Sequence, residues 1–164
     1  MHYHIQQYIA KGYVSVHVNT SNIGGQVLRN RSRVVKFGQD SSYAEYVSFV
    51  QSHAPLNCFP VIYSHTLPHG PFIQTSNMPY TVTEMEFLQP LNPKDKLDYE
   101  AWISSEIKTI GTGGNAASDP FRLEYAIRLL ILNAQAKKIN LDLLKGDNIM
   151  QRPTGQYVIT DPYN

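Results

Sequence analysis

The chain has 164 residues, of which 16% are charged and 42% hydrophobic, and a formal net charge of +1. That is the length of one domain with an ordinary core, and its field is too weak for a basic nucleic-acid-binding surface. The lone cysteine, Cys58, excludes an internal disulfide, no apolar run approaches a membrane span, and the start M-H-Y-H-I-Q-Q lacks the layout of a signal peptide, so a soluble cytoplasmic chain is expected.

Residues 3–18 carry strand-type side chains on both sides of a break at Ala10-Lys11-Gly12, a pattern that predicts two strands joined by a tight turn. Gly12 can adopt a positive φ there and the amides around it could face a phosphate, although one glycine in a hairpin is by itself simply a turn. Residues 19–33 are polar, with Gly24-Gly25 and Arg29, Arg31 and Arg33, and read as a solvated excursion holding a short extended piece at Gln26-Val27-Leu28. Residues 33–38 form a strand in which Val34 and Lys36 share one face and Val35 and Phe37 the other. A lysine so placed is either a solvated edge charge or, if it projects into a cleft, a holder of phosphate oxygens.

Asp40 or Ser41 caps a helix over 42–53, whose apolar face is Tyr43, Tyr46, Val47 and Val50 at i, i+3, i+4 and i+7; Glu45 lies off that stripe and Pro55 stops the helix. Residues 59–63, 71–74 and 80–88 read as strands between Pro, Gly and Asn turns. Cys58 precedes Phe59-Pro60 and reads as a small buried hydrophobe rather than a nucleophile.

The second half is helical. Residues 96–110 place Leu97, Trp102, Ile103 and Ile107 on an apolar face, with Glu100 and Lys108 outward. They end at G-T-G-G-N, which lacks the Lys-Ser/Thr of a phosphate cradle and reads as a flexible connector. Asp119-Pro120 is an N-cap followed by proline at the first position of a helix over 121–138, apolar through Leu123, Ile127, Leu130, Ile131 and Ala134 and broadened by Leu129 and Leu132. The fold class is α+β.

The last stretch reads I-N-L-D-L-L-K-G-D-N-I-M-Q-R-P-T-G-Q-Y-V-I-T-D-P-Y-N. It joins an acidic loop (Asp142, Asp147, Asn148), a short apolar run, a turn at Thr154-Gly155, a β-branched strand and a further acid, Asp161. Oxygen ligands at the two ends of such a hairpin suit Mg²⁺, a hard ion that keeps waters and is shared with substrate phosphates. The plainer alternative is a polar loop and strand end that happen to be acidic. The histidines (His2, His4, His17, His53, His65, His69) are scattered; only His65 and His69 approach ligand spacing, and the proline between them removes the helical geometry, so no zinc site is expected.

In order, these pieces are a strand, a glycine turn and a strand, then a strand with lysine, a helix, two strands, helices and an acidic hairpin. The arrangement resembles the protein-kinase-like fold in minimal form. In particular it is similar to the early serine/threonine protein kinase of the T-odd group of bacteriophages, whose catalytic loop has the form D-x-H-x-G-N-I-M and whose metal strand ends in I-T-D-P. Here D-L-L-K-G-D-N-I-M and V-I-T-D-P-Y stand in the same places, I-A-K-G-Y-V-S-V resembles the glycine loop, and R-V-V-K-F-G resembles the lysine strand. The resemblance implies a single kinase-like domain. Its N-lobe (1–88) would be an antiparallel sheet with one helix, and its truncated helical C-lobe (89–164) would end in a metal-binding hairpin.

It also implies roles. Lys36 would hold the α- and β-phosphates of ATP. Gly12, with Ala10, Lys11 and Ser15, would cover them. Thr83 would stand beside the adenine, and the backbone of Glu84 and Glu86 would bond it. Asn148 and Asp161 would hold Mg²⁺, and Asp142 would orient or deprotonate the acceptor hydroxyl, a serine or threonine of a host protein. In-line phosphoryl transfer asks for these residue types: positive charge on the oxygens, a metal bridge and a carboxylate near the nucleophile.

The sequence departs from the family in four places. The family acid precedes its metal asparagine by five positions, whereas Asp142 precedes Asn148 by six, so an ungapped alignment puts Leu143 in its place. Either the loop bulges by one residue and Asp142 still serves, or the base is lost, Asp147 is left over beside the metal, and the chain is a pseudokinase that binds a host protein of the transcription or defence machinery. Leu144 stands near the family's loop histidine or lysine, and Glu45 follows Lys36 by only nine residues, a short reach for the usual lysine-helix ion pair. The chain also stops three residues after Asp161, without the activation segment of a full protein kinase.

Overall fold

A computed structural model describes residues 1–18, 25–53, 56–67 and 80–163. Pro55, His69, the strand expected at 71–74 and the first part of the polar excursion lie outside them. The chain forms two compact units, Met1–Val47 with Val61–Phe87, and Ser48–Pro60 with Leu88–Asn164.

The first unit opens on a helix, α1 (His2–Ala10), where strand propensity suggested one arm of a hairpin. Ile5 and Tyr8, three positions apart, give it an inward edge: Ile5 is buried with Leu28, Val35, Phe37, Tyr80 and Val82, and Tyr8 packs against them. Tyr8 meets Phe37 edge-on, with ring centroids 5.6 Å apart. Burying that edge outweighs the weak local preference for strand.

The sheet then runs β1 (Val14–Val18), β2 (Gln26–Asn30), β3 (Arg33–Gly38), β4 (Ile62–Thr66) and β5 (Thr81–Glu86), all antiparallel, in the order β1-β2-β3-β5-β4. The arginines assigned to a solvated loop belong to this sheet. Arg29 stacks on Phe87 at 3.4 Å, and Arg33 lies over Tyr63 and bonds Glu84 at 2.7 Å, leaving Arg31 in the β2–β3 turn with a left-handed φ of 51°. Between β3 and β4 stands α2 (Ser41–Ser52). Asp40 Oδ1 caps it, accepting the amides of Ser42 at 2.8 Å and Tyr43 at 3.3 Å. The expected apolar face is present, with Tyr43, Tyr46, Val47 and Val50 buried and Phe49 added to them, while Glu45 is exposed.

The second unit holds β6 (Gln89–Pro90), α3 (Pro93–Gly111), α4 (Glu124–Lys137), and a terminal hairpin of β7 (Ile149–Gln151) and β8 (Tyr157–Ile159), with β6 joined to β7. Asn92 caps α3, accepting the Asp95 amide, and proline follows at the first helical position. Its buried residues are Tyr99, Trp102, Ile103 and Ile110, whereas Leu97 is 67% exposed. Phe121 was expected inside α4 but lies before it. Pro120, Phe121 and Arg122 form a turn with Arg122 at φ 57°, and Asp119 caps the Leu123 and Glu124 amides with its two oxygens, each at 3.0 Å. The turn delivers Phe121 into a ring cluster with Tyr99, Trp102 and Tyr157, at centroid distances of 5.5, 5.4 and 4.9 Å. The glycine connector is pinned rather than loose: the Gly114 amide returns to Thr109 O, and Arg128 bonds Gly114 O at 2.6 Å and Glu124 at 2.7 Å. No helix among the described residues is long and apolar enough to cross a membrane.

Candidate active site

In the first unit, β3 lies inside the sheet, so Lys36 is not an edge charge. The register places Val27 opposite Lys36 on one side and Thr83 on the other, with His65 beyond Thr83, so these four share one face. The Lys36 Nζ stands 3.4 Å from the centroid of the Tyr43 ring in α2, a cation–π contact. Thr83 is fully buried and its Oγ1 is 2.8 Å from His65 Nδ1. Burial lowers the pKa of His65, favouring its neutral form. Nothing in the sequence pointed to His65 as the partner of Thr83; only the pairing of β4 with β5 does so.

The remaining residues expected at a nucleotide in this unit are committed elsewhere. Gly12, at φ +84°, terminates α1. The amides of Lys11, Gly12 and Tyr13 return to carbonyls of Gln7, Tyr8 and Ile9, which removes the donors that a phosphate would need. Ala10 is the last residue of that helix, and Ser15 lies exposed on β1, its Oγ accepting from Gln26. The hairpin imagined around Gly12 is therefore a helix-to-strand connection, while the link between β1 and β2 runs through 19–24, outside the described residues. Glu84 is paired with both neighbouring strands. The Glu86 amide, one of the backbone groups assigned to adenine, goes to Val61 O at 3.0 Å, and the Glu86 carboxylate takes the Val61 amide at 2.8 Å.

In the second unit the hairpin forms in the register Ile149–Ile159, Met150–Val158 and Gln151–Tyr157, turning at Gly155 with φ +88°. Its two ends are drawn together. The amide and hydroxyl of Thr160 both donate to Asn148 O, at 2.8 and 3.0 Å. Asn148 Nδ2 donates to Asp142 O at 2.6 Å, and the Asp142 amide donates to Pro162 O at 2.7 Å. One backbone junction thus carries Asp142, Asn148 and, between Thr160 and Pro162, Asp161, whose Oδ1 is buried. Since the loop uses the nitrogen of the Asn148 amide, its oxygen is the atom left to offer.

The six-position spacing is taken up within the loop. Leu143 turns inward, 2% exposed, and a 3-10 turn, Gly146–Asn148, closes the circuit back to Asp142. Leu144 is 53% exposed, and the next residue, Lys145, bonds Asp142 Oδ2 through its Nζ at 2.5 Å. Asp147 is no leftover beside a metal. Its carboxylate, 78% exposed, bonds Lys96 of α3 at 2.7 Å. Glu100, expected to face outward, accepts the Gly146 amide at 2.9 Å. Among the described residues no three His, Cys, Asp or Glu side chains are grouped to hold a metal, so any ion here would rely on Asn148 and Asp161 together with waters and a ligand.

No protein-family model matches the chain and no curated protein matches its sequence. Among solved structures it is similar to the bifunctional kinase-methyltransferase WbdD, with 13% identity and a TM-score of 0.38 over 84% of this chain and 29% of that one. It is also similar to the choline kinase LicA from Streptococcus pneumoniae, with 10% identity and a TM-score of 0.42 over 97% of this chain and 67% of that one. The chain thus spans less than a third of the length of the first. Likenesses at this level carry no argument about chemistry.

Proposed function

We propose that the chain is an ATP- and Mg²⁺-dependent phosphotransferase of the protein-kinase-like class. The observation that carries this reading is the junction at which Asn148 and Pro162 bond the backbone of Asp142 and so gather an acid, an amide oxygen and a further acid, Asp161, on one short loop-hairpin. Two protein oxygens, from Asn148 and Asp161, fit an ion that keeps several waters and is shared with phosphates; when bound, Mg²⁺ neutralises charge on the transferred group. As the sequence resemblance implies, Lys36, on an interior strand, would supply positive charge to phosphate oxygens, and its cross-strand neighbour Thr83 would stand beside the adenine.

Asp142 orients the acceptor hydroxyl and takes its proton as the acceptor oxygen bonds the γ-phosphorus and the bond to the bridging oxygen breaks, leaving ADP. Lys145 holds that carboxylate in place. The acceptor we take to be a serine or threonine of a host protein, as the sequence resemblance implies.

A second reading, a kinase-like protein that binds a host protein without transferring phosphate, is favoured by the ion pair that occupies Asp142 Oδ2. Two measurements decide: the melting temperature with ATP and Mg²⁺, and labelled phosphate transfer to the chain itself or to a lysate. The first reading requires both a shift and transfer; a shift alone supports the second; neither sinks nucleotide chemistry altogether.

A further inference from the structure

The loop between Asp142 and Asn148 is held from one side by a single helix face. Lys96, Tyr99 and Glu100 stand at i, i+3 and i+4 on α3. The Tyr99 hydroxyl donates to Leu143 O at 2.8 Å, Glu100 Oε1 accepts the Gly146 amide at 2.9 Å, and Lys96 pairs with Asp147. The fit is close. A Cβ on Gly146 would lie 2.5 Å from Lys96 Cγ, 3.0 Å from Glu100 Oε1 and 3.3 Å from Lys96 O. Tyr99 is fully buried, and burial pushes its phenol far above the ordinary tyrosine range, so it remains a donor at every working pH.

We infer that Tyr99 and Glu100 are positioning residues for phosphate transfer, fixing the longer loop so that Asp142 is presented beside Asn148 and Asp161. The inference rests on the phosphotransferase reading. With six positions between acid and amide, backbone groups at Leu143 and Gly146 face α3 instead of each other, and α3 answers one with a donor and the other with an acceptor. Neither side chain is among the groups assigned to nucleotide or metal, so their removal is expected to displace Asp142 without deleting any group that binds nucleotide.

The test compares wild type with Tyr99→Phe, Glu100→Ala and Glu100→Gln, measuring kcat, KM for ATP, the ATP-induced melting shift and hydrogen exchange across 142–149. Glu100→Ala and Tyr99→Phe are expected to lower kcat by about 10- to 100-fold while KM for ATP stays within about threefold, and exchange at Gly146 accelerates in Glu100→Ala. Glu100→Gln still offers an oxygen to Gly146 and is expected to restore most of kcat and the slow exchange. Unchanged kcat or unchanged exchange in Glu100→Ala overturns the inference, as does a fall in kcat matched by lost nucleotide binding that glutamine does not rescue. Should Glu100→Ala fail to fold, Tyr99→Phe and Glu100→Gln carry the same comparison. A wild-type chain with neither melting shift nor transfer refutes the phosphotransferase reading and the inference with it, whereas defects confined to the variants leave that reading standing.

Discussion

Asp161 shows how a single side chain combines structural and chemical demands. Its Oδ1 is buried and its backbone continues directly from Thr160, which is bonded to Asn148. Alanine would remove buried volume as well as the charge, so Asp161→Asn is the cleaner change. It is expected to keep the unliganded melting temperature and to lose the Mg²⁺-dependent stabilisation by ATP, about 2.7 kcal/mol at a ligand concentration 100 times Kd, as read by thermal shift. Gly146 poses a steric demand. With Lys96 and Glu100 inside contact distance of any added carbon, Gly146→Ala forces the loop or the α3 side chains to shift, and urea unfolding should show a loss of about 1–3 kcal/mol. Cys58, read as a small buried hydrophobe, is only half-buried, and burial raises the pKa of its thiol, which disfavours the thiolate.

Elements follow their capping chemistry closely. Asp40 satisfies two amides at the start of α2, a helix of 12 residues, and Asp40→Ala should cost about 1 kcal/mol in urea unfolding, with the change recovered by asparagine or serine. Asp119 was legible as an acid ahead of α4, but the exact start of that helix was not, and the cap at Asn92 was not read at all. Phe121 could have continued the helix, yet the turn through Arg122 places its ring among Tyr99, Trp102 and Tyr157, a gain no local rule registers. The same applies to α1. Tyrosine, isoleucine and histidine favour strands weakly, and the buried edge formed by Ile5 and Tyr8 overrides them.

At the scale of the whole molecule, the ionisation of His65 couples stability to pH. Its pKa is lowered by burial, so the unfolded chain takes up a proton first as pH falls, and folding loses stability from about pH 6.5 downward until the folded histidine is protonated as well. The melting temperature should therefore fall on acidification through that window, and His65→Asn, which keeps a polar partner for Thr83 without titrating, should flatten this part of the profile.

The sequence by itself determined the features that short-range chemistry encodes. These are the alternating faces of β3 around Lys36, the capped and striped α2, two helices in the second half, and a hairpin turning at Gly155 between β-branched runs. Tertiary structure alone decided where polar groups go. It gave Glu86 to Val61, Asp147 to Lys96, and the backbone of Leu143 and Gly146 to Tyr99 and Glu100. Local patterns rest on propensity and periodicity, which neighbours in sequence reveal. A buried donor or acceptor must find a partner wherever the fold supplies one, and for this loop the partners lie more than forty residues away.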